Sequence, residues 1–226
     1  MKKSDFNAQL NCFIFDLDGV IVDTAKYHFI AWKFIAKNLG VNFSREHNES
    51  LKGISRKDSL DYLLSLGNIE LSQPEKNELL HLKNEKYLEF IRKMDKSEIL
   101  PGVLNLLTEL KNKNKQIALG SASKNAPLIL EILELKYFFS VIVDGNAVKK
   151  SKPDPEVFQK AADFFRAQPF ETVVFEDSIA GIEAANRAGF FSIGVGDKEV
   201  LKEANIVFED FQNLNLSLIN SYLSPK

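Results

Sequence analysis

A chain of 226 residues, 45% hydrophobic and with a formal net charge of -2 at pH 7, can bury a sizeable core as one large domain or two unequal ones. That balance offers no basic field for nucleic acid and no polybasic signal for a membrane surface, so a partner is expected to be small or locally recognised. The lone cysteine, Cys12, excludes an intramolecular disulfide and reads as a small apolar core residue of a reducing, cytoplasmic setting. The amino end, MKKSDFNAQLN, lacks the continuous apolar stretch of a signal peptide, and no segment reaches transmembrane length without charges.

The first element is the apolar run Phe13, Ile14, Phe15, of buried-strand character, which ends abruptly in Asp16 and Asp18 with Gly19 after them to permit a tight turn. Residues two apart in extended chain share a face, so both carboxylates look into the crevice at the strand's carboxyl end. Two like charges that close are costly unless a cation or a shared proton relieves them. A magnesium ion would do so through hard oxygen ligands, leaving one carboxylate available as a nucleophile toward phosphorus. Two aspartates capping a turn are the plainer alternative; the strand before them, the glycine after and Asp23-Thr24 beyond favour chemistry.

From Ala25 to Leu39, Phe29, Trp32, Ile35, Ala36 and Leu39 recur at helical spacing and Gly40 stops the helix. Trp32 taken alone reads as packing. His28 lies one turn beyond Thr24, facing back toward the aspartates, and is either functional or simply packed. The stretch ESLKGISRKDS, residues 49–59, is a polar loop leading into a helix whose apolar face is Leu60, Leu63, Leu64 and Leu66. Lys52, Arg56 and Lys57 make it a solvated basic loop or a grip on an anion. Pro74 to Met94 reads as one long helix, with Leu79, Leu80, Leu82, Tyr87, Leu88 and Ile91 mostly inward and the proline in its first turn. Residues 25–96 thus hold helices and no convincing strand, an inserted helical cap, while 1–24 and 97–226 form the core domain.

Strands return after a helix introduced by Leu100-Pro101-Gly102. Gln116 to Leu119 is a second buried strand, ending in GSASKN, where Ser121, Ser123 and backbone amides gather. The arrangement suits phosphate, and equally a serine helix cap. Ser140 to Val143 is a third strand, followed by Ser151-Lys152-Pro153-Asp154-Pro155, in which flanking prolines stiffen the backbone and hold a lysine at one spot or merely precede a helix. Thr172 to Phe175 is a fourth, ending like the first in acids, Glu176 and Asp177, with Ser178 and a helix to Ala188 beyond. Acids at the ends of two strands can meet in one crevice and complete a magnesium site. Ser192 to Val195 and Ile206 to Phe208 supply further strands, and Asp210 to Leu223 a closing helix. The fold expected is α/β, a Rossmann-like parallel-sheet core with the helical insertion.

Collected in order, DLDGVIVDT, a strand ending in serine, a lysine before a helix and FEDS resemble the haloacid dehalogenase superfamily. DLDGVIVDTAKYHFIAWK, LKGISRKDSL, IALGSASKN, SKPDP and FEDSIAGI resemble, along nearly the whole chain, its sugar-phosphate mutases. The resemblance implies that Asp16 becomes an aspartyl phosphate and that Asp18 is the general acid and base for a sugar hydroxyl. It implies one magnesium ion per chain on Asp16, the backbone carbonyl of Asp18, and Asp177, with Glu176 beside them. Ser121 and Lys152 would bind the phosphoryl group in transit, and Arg56 the phosphate that is not reacting, helped by Ala122, Ser123, Lys124 and Asn125. Lys52, Gly53 and Ile54 would lie against the sugar with Trp32 nearby. His28 and Lys83 would link cap closure to Asp18, and Thr24 would begin the hinge. The implied reaction interconverts hexose 1- and 6-phosphates through beta-glucose 1,6-bisphosphate, which also primes it, in a monomer. A sugar-phosphate phosphatase using the same Asp16, and a non-catalytic sugar-phosphate-binding module, are the alternatives. Three features depart from the pattern: Gly120 in place of an expected alanine, a basic loop DGNAVKK, and a longer amino end, Met1 to Leu10.

Overall fold

The computed structural model describes residues 10–223; the expectations made for the first nine residues lie outside it. Six strands form one sheet: β1 (Cys12–Phe15), β2 (Gln116–Gly120), β3 (Val141–Val143), β4 (Thr172–Glu176), β5 (Phe191–Val195) and β6 (Ile206–Phe208). They run in the order β3-β2-β1-β4-β5-β6 and every pairing is parallel. A parallel sheet needs cover on both faces, and the alternation along β1 shows how it is obtained. Phe13 and Phe15 point into one apolar cluster with Leu106, Leu107, Leu110, Ile129 and Leu130, from helices α5 (Val103–Asn112) and α6 (Ala126–Ile132). Cys12 and Ile14 point into the other, with Val157, Phe158, Ala161, Ala184 and Ala185 from α7 (Glu156–Phe165) and α8 (Ile179–Arg187). Cys12 is therefore part of the first strand rather than its prelude. The last helix, α9 (Leu216–Leu223), begins later than the expected Asp210.

Between β1 and α5 the chain makes α1 (Ala25–Asn38), α2 (Arg45–Glu49), α3 (Arg56–Leu66) and α4 (Gln73–Ile91). Their apolar faces form a cluster of their own around Trp32, Ile35, Phe43, Leu60 and Leu63, while Tyr87, Leu88 and Ile91 at the end of α4 join the cluster under the sheet. Helix α4 starts where the Ser72 amide donates to Glu75 Oε2 at 2.8 Å, and Pro74 sits within its first turn. The inward face of α4 differs from the simple apolar reading. Leu82 is 38% exposed, whereas Lys83 is buried.

The two chain crossings between these helices and the sheet lie side by side. Leu100 N donates to Ile21 O at 3.0 Å, and Glu98 accepts hydrogen bonds from both Lys26 Nζ and Tyr27 OH at 2.6 Å. Register then sets the position of the site. Phe15 pairs with Leu119 of β2 and with Phe175 of β4, so Asp16, Ser121 and the acids that end β4 and follow it emerge at one level, where the strand order reverses.

Candidate active site

Asp16 follows the last residue of β1, held by its amide to Phe175 O at 3.0 Å. Its side chain is buried, and Lys152 Nζ donates to its Oδ1 at 2.6 Å and to Glu176 Oε1 at 2.5 Å. Lys152 reaches this point from a loop with a cis Lys152-Pro153 bond, and its ammonium lies 4.6 Å from the Phe158 ring centroid. The same ring fills the space a side chain on Gly120 would need, coming within 2.8 Å of where its Cβ would sit. This accounts for the glycine that departs from the family pattern. The remaining Glu176 oxygen accepts from Ser178 N and Ser178 Oγ, both at 2.8 Å. Ser178 Oγ in turn caps α8 through Gly181 N at 3.1 Å.

The charges have definite consequences. Burial works against the Lys152 ammonium, yet Asp16 and Glu176 outweigh it and hold its pKa above the ordinary lysine value. Burial pushes the Asp16 carboxyl up, opposed by Lys152 and reinforced by Glu176 and Asp18. Asp18 is likewise raised by burial while the Thr24 hydroxyl, which donates to its Oδ1, opposes the shift. Asp177 is raised to about 7, by burial first and by Glu176 second, despite Lys52 Nζ at 3.3 Å. Burial and mutual repulsion thus raise several acids that crowd one space.

Asp16, Asp18 and Asp177 all line one cavity of about 410 Å³. Among the described residues no three Asp, Glu, His or Cys side chains already form a cation cage. The donor chemistry nonetheless fits a hard divalent ion: three carboxylates border one cavity, and burial first, then their acidic neighbours, raises their pKa values. The Asp177 carboxylate packs against Gly19, whose φ is +80° and where a Cβ would fall 2.1 Å from Asp177 Oδ2. Glu176 does not border the cavity, and both its oxygens are taken by Lys152 and Ser178.

The remaining walls come from three places. After β2, Ser121 Oγ accepts from Ser123 N at 3.1 Å and Ser123 Oγ from Asn125 N at 3.3 Å. The serines therefore brace their loop while also facing the cavity together with Ala122, Lys124 and Asn125. The helical insertion contributes His28, Trp32, Arg56 and Lys83 from its helices and Lys52, Gly53 and Ile54 from the loop between α2 and α3. Thr24, at the N-cap of α1, is buried and reaches the site through Asp18. Ser59 and Asn48 also line the cavity, and the sequence reading assigned neither a role. Ser59 lies three residues after Arg56 on α3, so helical spacing could have found it.

Lys83 Nζ lies 2.8 Å from His28 Nδ1, and above the rings of Tyr87 and Trp32 at 4.7 and 5.0 Å. Burial lowers the pKa of both partners, with the neighbouring cation and Arg56 adding to the effect on His28. Arg56 itself is half-buried, and among the described residues no carboxylate pairs with it. Core and helices also touch directly here. Asn125 Nδ2 donates to Asn84 Oδ1 of α4 at 3.0 Å, and Gly53, at φ +76°, sits where a Cβ would lie 2.4 Å from Ser178 Oγ.

An aspartate at the end of the central strand, a buried lysine against it and a cavity that carboxylates and cations share meet at the carboxyl end of a doubly wound sheet. The sequence profile of the haloacid dehalogenase-like hydrolases matches residues 13–195, and the chain belongs to that family. It is 44% identical over 213 residues to a beta-phosphoglucomutase of Bacillus subtilis, covering 93% of this chain and 94% of that one. The crystal structure of a beta-phosphoglucomutase from Clostridium difficile superposes with a TM-score of 0.92 at 41% identity, covering 95% of this chain and 97% of the other. A fructose-1-phosphate phosphatase of Escherichia coli is 32% identical over 184 residues, covering 80% of this chain and 94% of that one. No helix among the described residues is long and apolar enough to cross a membrane.

Proposed function

We propose that this chain interconverts beta-D-glucose 1-phosphate and D-glucose 6-phosphate, through an aspartyl phosphate on Asp16 and beta-glucose 1,6-bisphosphate as intermediate and primer. The observation that carries the reading is Arg56, a guanidinium that no carboxylate among the described residues pairs with, in the same cavity as Asp16. A hydrolase needs one phosphate grip. A mutase must hold one phosphate while the other reacts, and then exchange them.

On this reading Asp16 attacks the phosphorus of the bisphosphate and the sugar oxygen leaves, taking a proton from Asp18. In the reverse sense Asp18 accepts the proton of the incoming hydroxyl as its oxygen attacks the aspartyl phosphate. Thr24 orients Asp18 through its hydroxyl. Lys152 and Ser121 neutralise the oxygens of the phosphoryl group in transit, with Lys152 exchanging part of its present pairing to Asp16 and Glu176 for them. Glu176 keeps the ammonium in place. Asp16, the backbone carbonyl of Asp18, and Asp177 would hold magnesium, which when bound adds positive charge against the phosphoryl oxygens. Residues 25–96 act as a cap over a core made of 1–24 and 97–226, and its closure excludes water so that the hydroxyl outcompetes hydrolysis. Lys52, Gly53, Ile54, Trp32 and Lys83 wall the sugar; Ser123, Lys124 and Asn125 assist Arg56. The protein acts as a cytoplasmic monomer.

Arg56→Ala tests this reading. With the mutase reading, kcat/KM for the sugar phosphate falls by about 100-fold while Asp16 still takes a phosphoryl group from acetyl phosphate, seen by 31P NMR. Turnover indifferent to Arg56, with free phosphate as product, would establish a phosphatase instead.

A further inference from the structure

Among the polar groups of the proposed sugar site that phosphate chemistry does not use, Asn48 is the one with a buried oxygen lacking a partner. Asn48, on α2, lines the cavity and is 7% exposed. Trp32, Leu51 and Leu80 line the same cavity. Its Oδ1 is shielded from water and has no hydrogen-bond partner, and its amide makes no other side-chain hydrogen bond among the described residues. An amide oxygen buried without a partner disfavours folding by about 10- to 100-fold, so its place needs a reason.

Local structure supplies none. Asn48 N donates to Ser44 O at 3.2 Å and its carbonyl accepts from Leu51 N at 3.0 Å, so the backbone is satisfied without the side chain. The cap of α2 is made by Ser44 and His47. The ligand offers a reason. Lys52, Arg56 and Lys83 answer negative charge but accept nothing, and a pyranose presents hydroxyl protons that need acceptors. His28 Nδ1 is already engaged by Lys83. A carboxamide carries an acceptor and a donor side by side, the complement of two adjacent hydroxyls.

We infer that Asn48 is a specificity residue that reads a pair of ring hydroxyls on the hexose, an inference that rests on the hexose-phosphate reading above. When the hexose binds, the Asn48 side chain turns its amide toward the cavity and the ligand completes its hydrogen bonds. A site with a buried amide built for a hydroxyl should therefore reject an analogue lacking it far better than an apolar wall could.

The test compares wild type with Asn48→Leu, of similar volume, and Asn48→Ala, on beta-glucose 1-phosphate and its 2-, 3- and 4-deoxy analogues, with thermal unfolding of each protein. The inference predicts that Asn48→Leu melts at or above wild type, having lost an unsatisfied amide. It predicts a kcat/KM on the parent sugar lower by about 10- to 100-fold, mostly through KM, and a wild-type preference for the parent over at least one deoxy analogue that collapses toward unity in both variants. A preference intact in both variants overturns it. So does a fall in melting temperature with sugar discrimination unchanged, which would make the amide structural. Wild type inert on every hexose phosphate would overturn the mutase reading itself, an outcome distinguished by the failure of the unmutated protein.

Discussion

Lys152→Met removes a buried cation that two carboxylates share while keeping most of the side-chain volume. At 2.6 and 2.5 Å and an effective dielectric of ~20, each contact contributes ~6 kcal/mol of Coulomb attraction before desolvation is subtracted. Burial offsets much of that, and the loss on deleting one partner of such a pair is about 3–5 kcal/mol. The sign with pH follows from the acids left behind. Burial already raises the Asp16 carboxyl and Lys152 opposes that shift, so without the lysine the folded-state pKa climbs further above the unfolded value. A carboxyl raised on folding contributes stability below its unfolded pKa and loses it as pH rises toward the folded one. The deficit should therefore be smaller at pH 5 than at pH 7.5, growing by up to about 1.4 kcal/mol per pH unit for each affected carboxyl. Urea unfolding of both proteins in EDTA, followed by circular dichroism across that range, measures it. A deficit below about 1 kcal/mol, or one that does not grow with pH, would refute the shared-cation account.

Other outcomes follow from the same geometry. Asp16→Asn should abolish phosphoryl labelling by acetyl phosphate and reduce turnover by about 10⁴-fold or more, with folding intact by circular dichroism. His28 is held below its ordinary pKa by burial and by Lys83. Its imidazole should stay neutral in NMR titrations well below pH 6.5, and the protein should lose about 1.4 kcal/mol per pH unit on acidification below that point as the unfolded chain alone takes up the proton; His28→Gln should flatten that slope. Gly19→Ala forces a side chain into a left-handed backbone and against Asp177, so thermal unfolding should show a loss of at least about 1–2 kcal/mol, and calorimetry weaker magnesium binding. Gly53→Ala should push the α2–α3 loop off Ser178 and raise KM for the sugar phosphate; an unchanged KM would show that this contact does not matter to closure.

Much of the framework was legible because it is written locally. Apolar runs that stop at acids or serines mark where strands end, and parallel pairing brings those ends to one level, so Asp16, Ser121 and Asp177 could be assembled without coordinates. Helix α2 was not legible, since five residues are too few to show a period, and Asn48 went with it. Lys83 was read as a cap residue by resemblance, but not as the buried member of its turn with Leu82 outside, because hydrophobic patterning assigns the apolar side chain inward. Cooperation between distant segments also left no local mark. Glu98 tying Lys26 and Tyr27 depends on where the two crossings run, and Glu176 anchoring Lys152 depends on the fold bringing a loop after β3 beneath the end of β4.

The central claim is tested most directly by incubating the protein with magnesium, beta-glucose 1-phosphate and a trace of beta-glucose 1,6-bisphosphate, and following glucose 6-phosphate and free phosphate together. Glucose 6-phosphate accumulating far ahead of free phosphate, and only when primer is present, is the predicted result. Free phosphate as the main product, formed with or without primer, would contradict it.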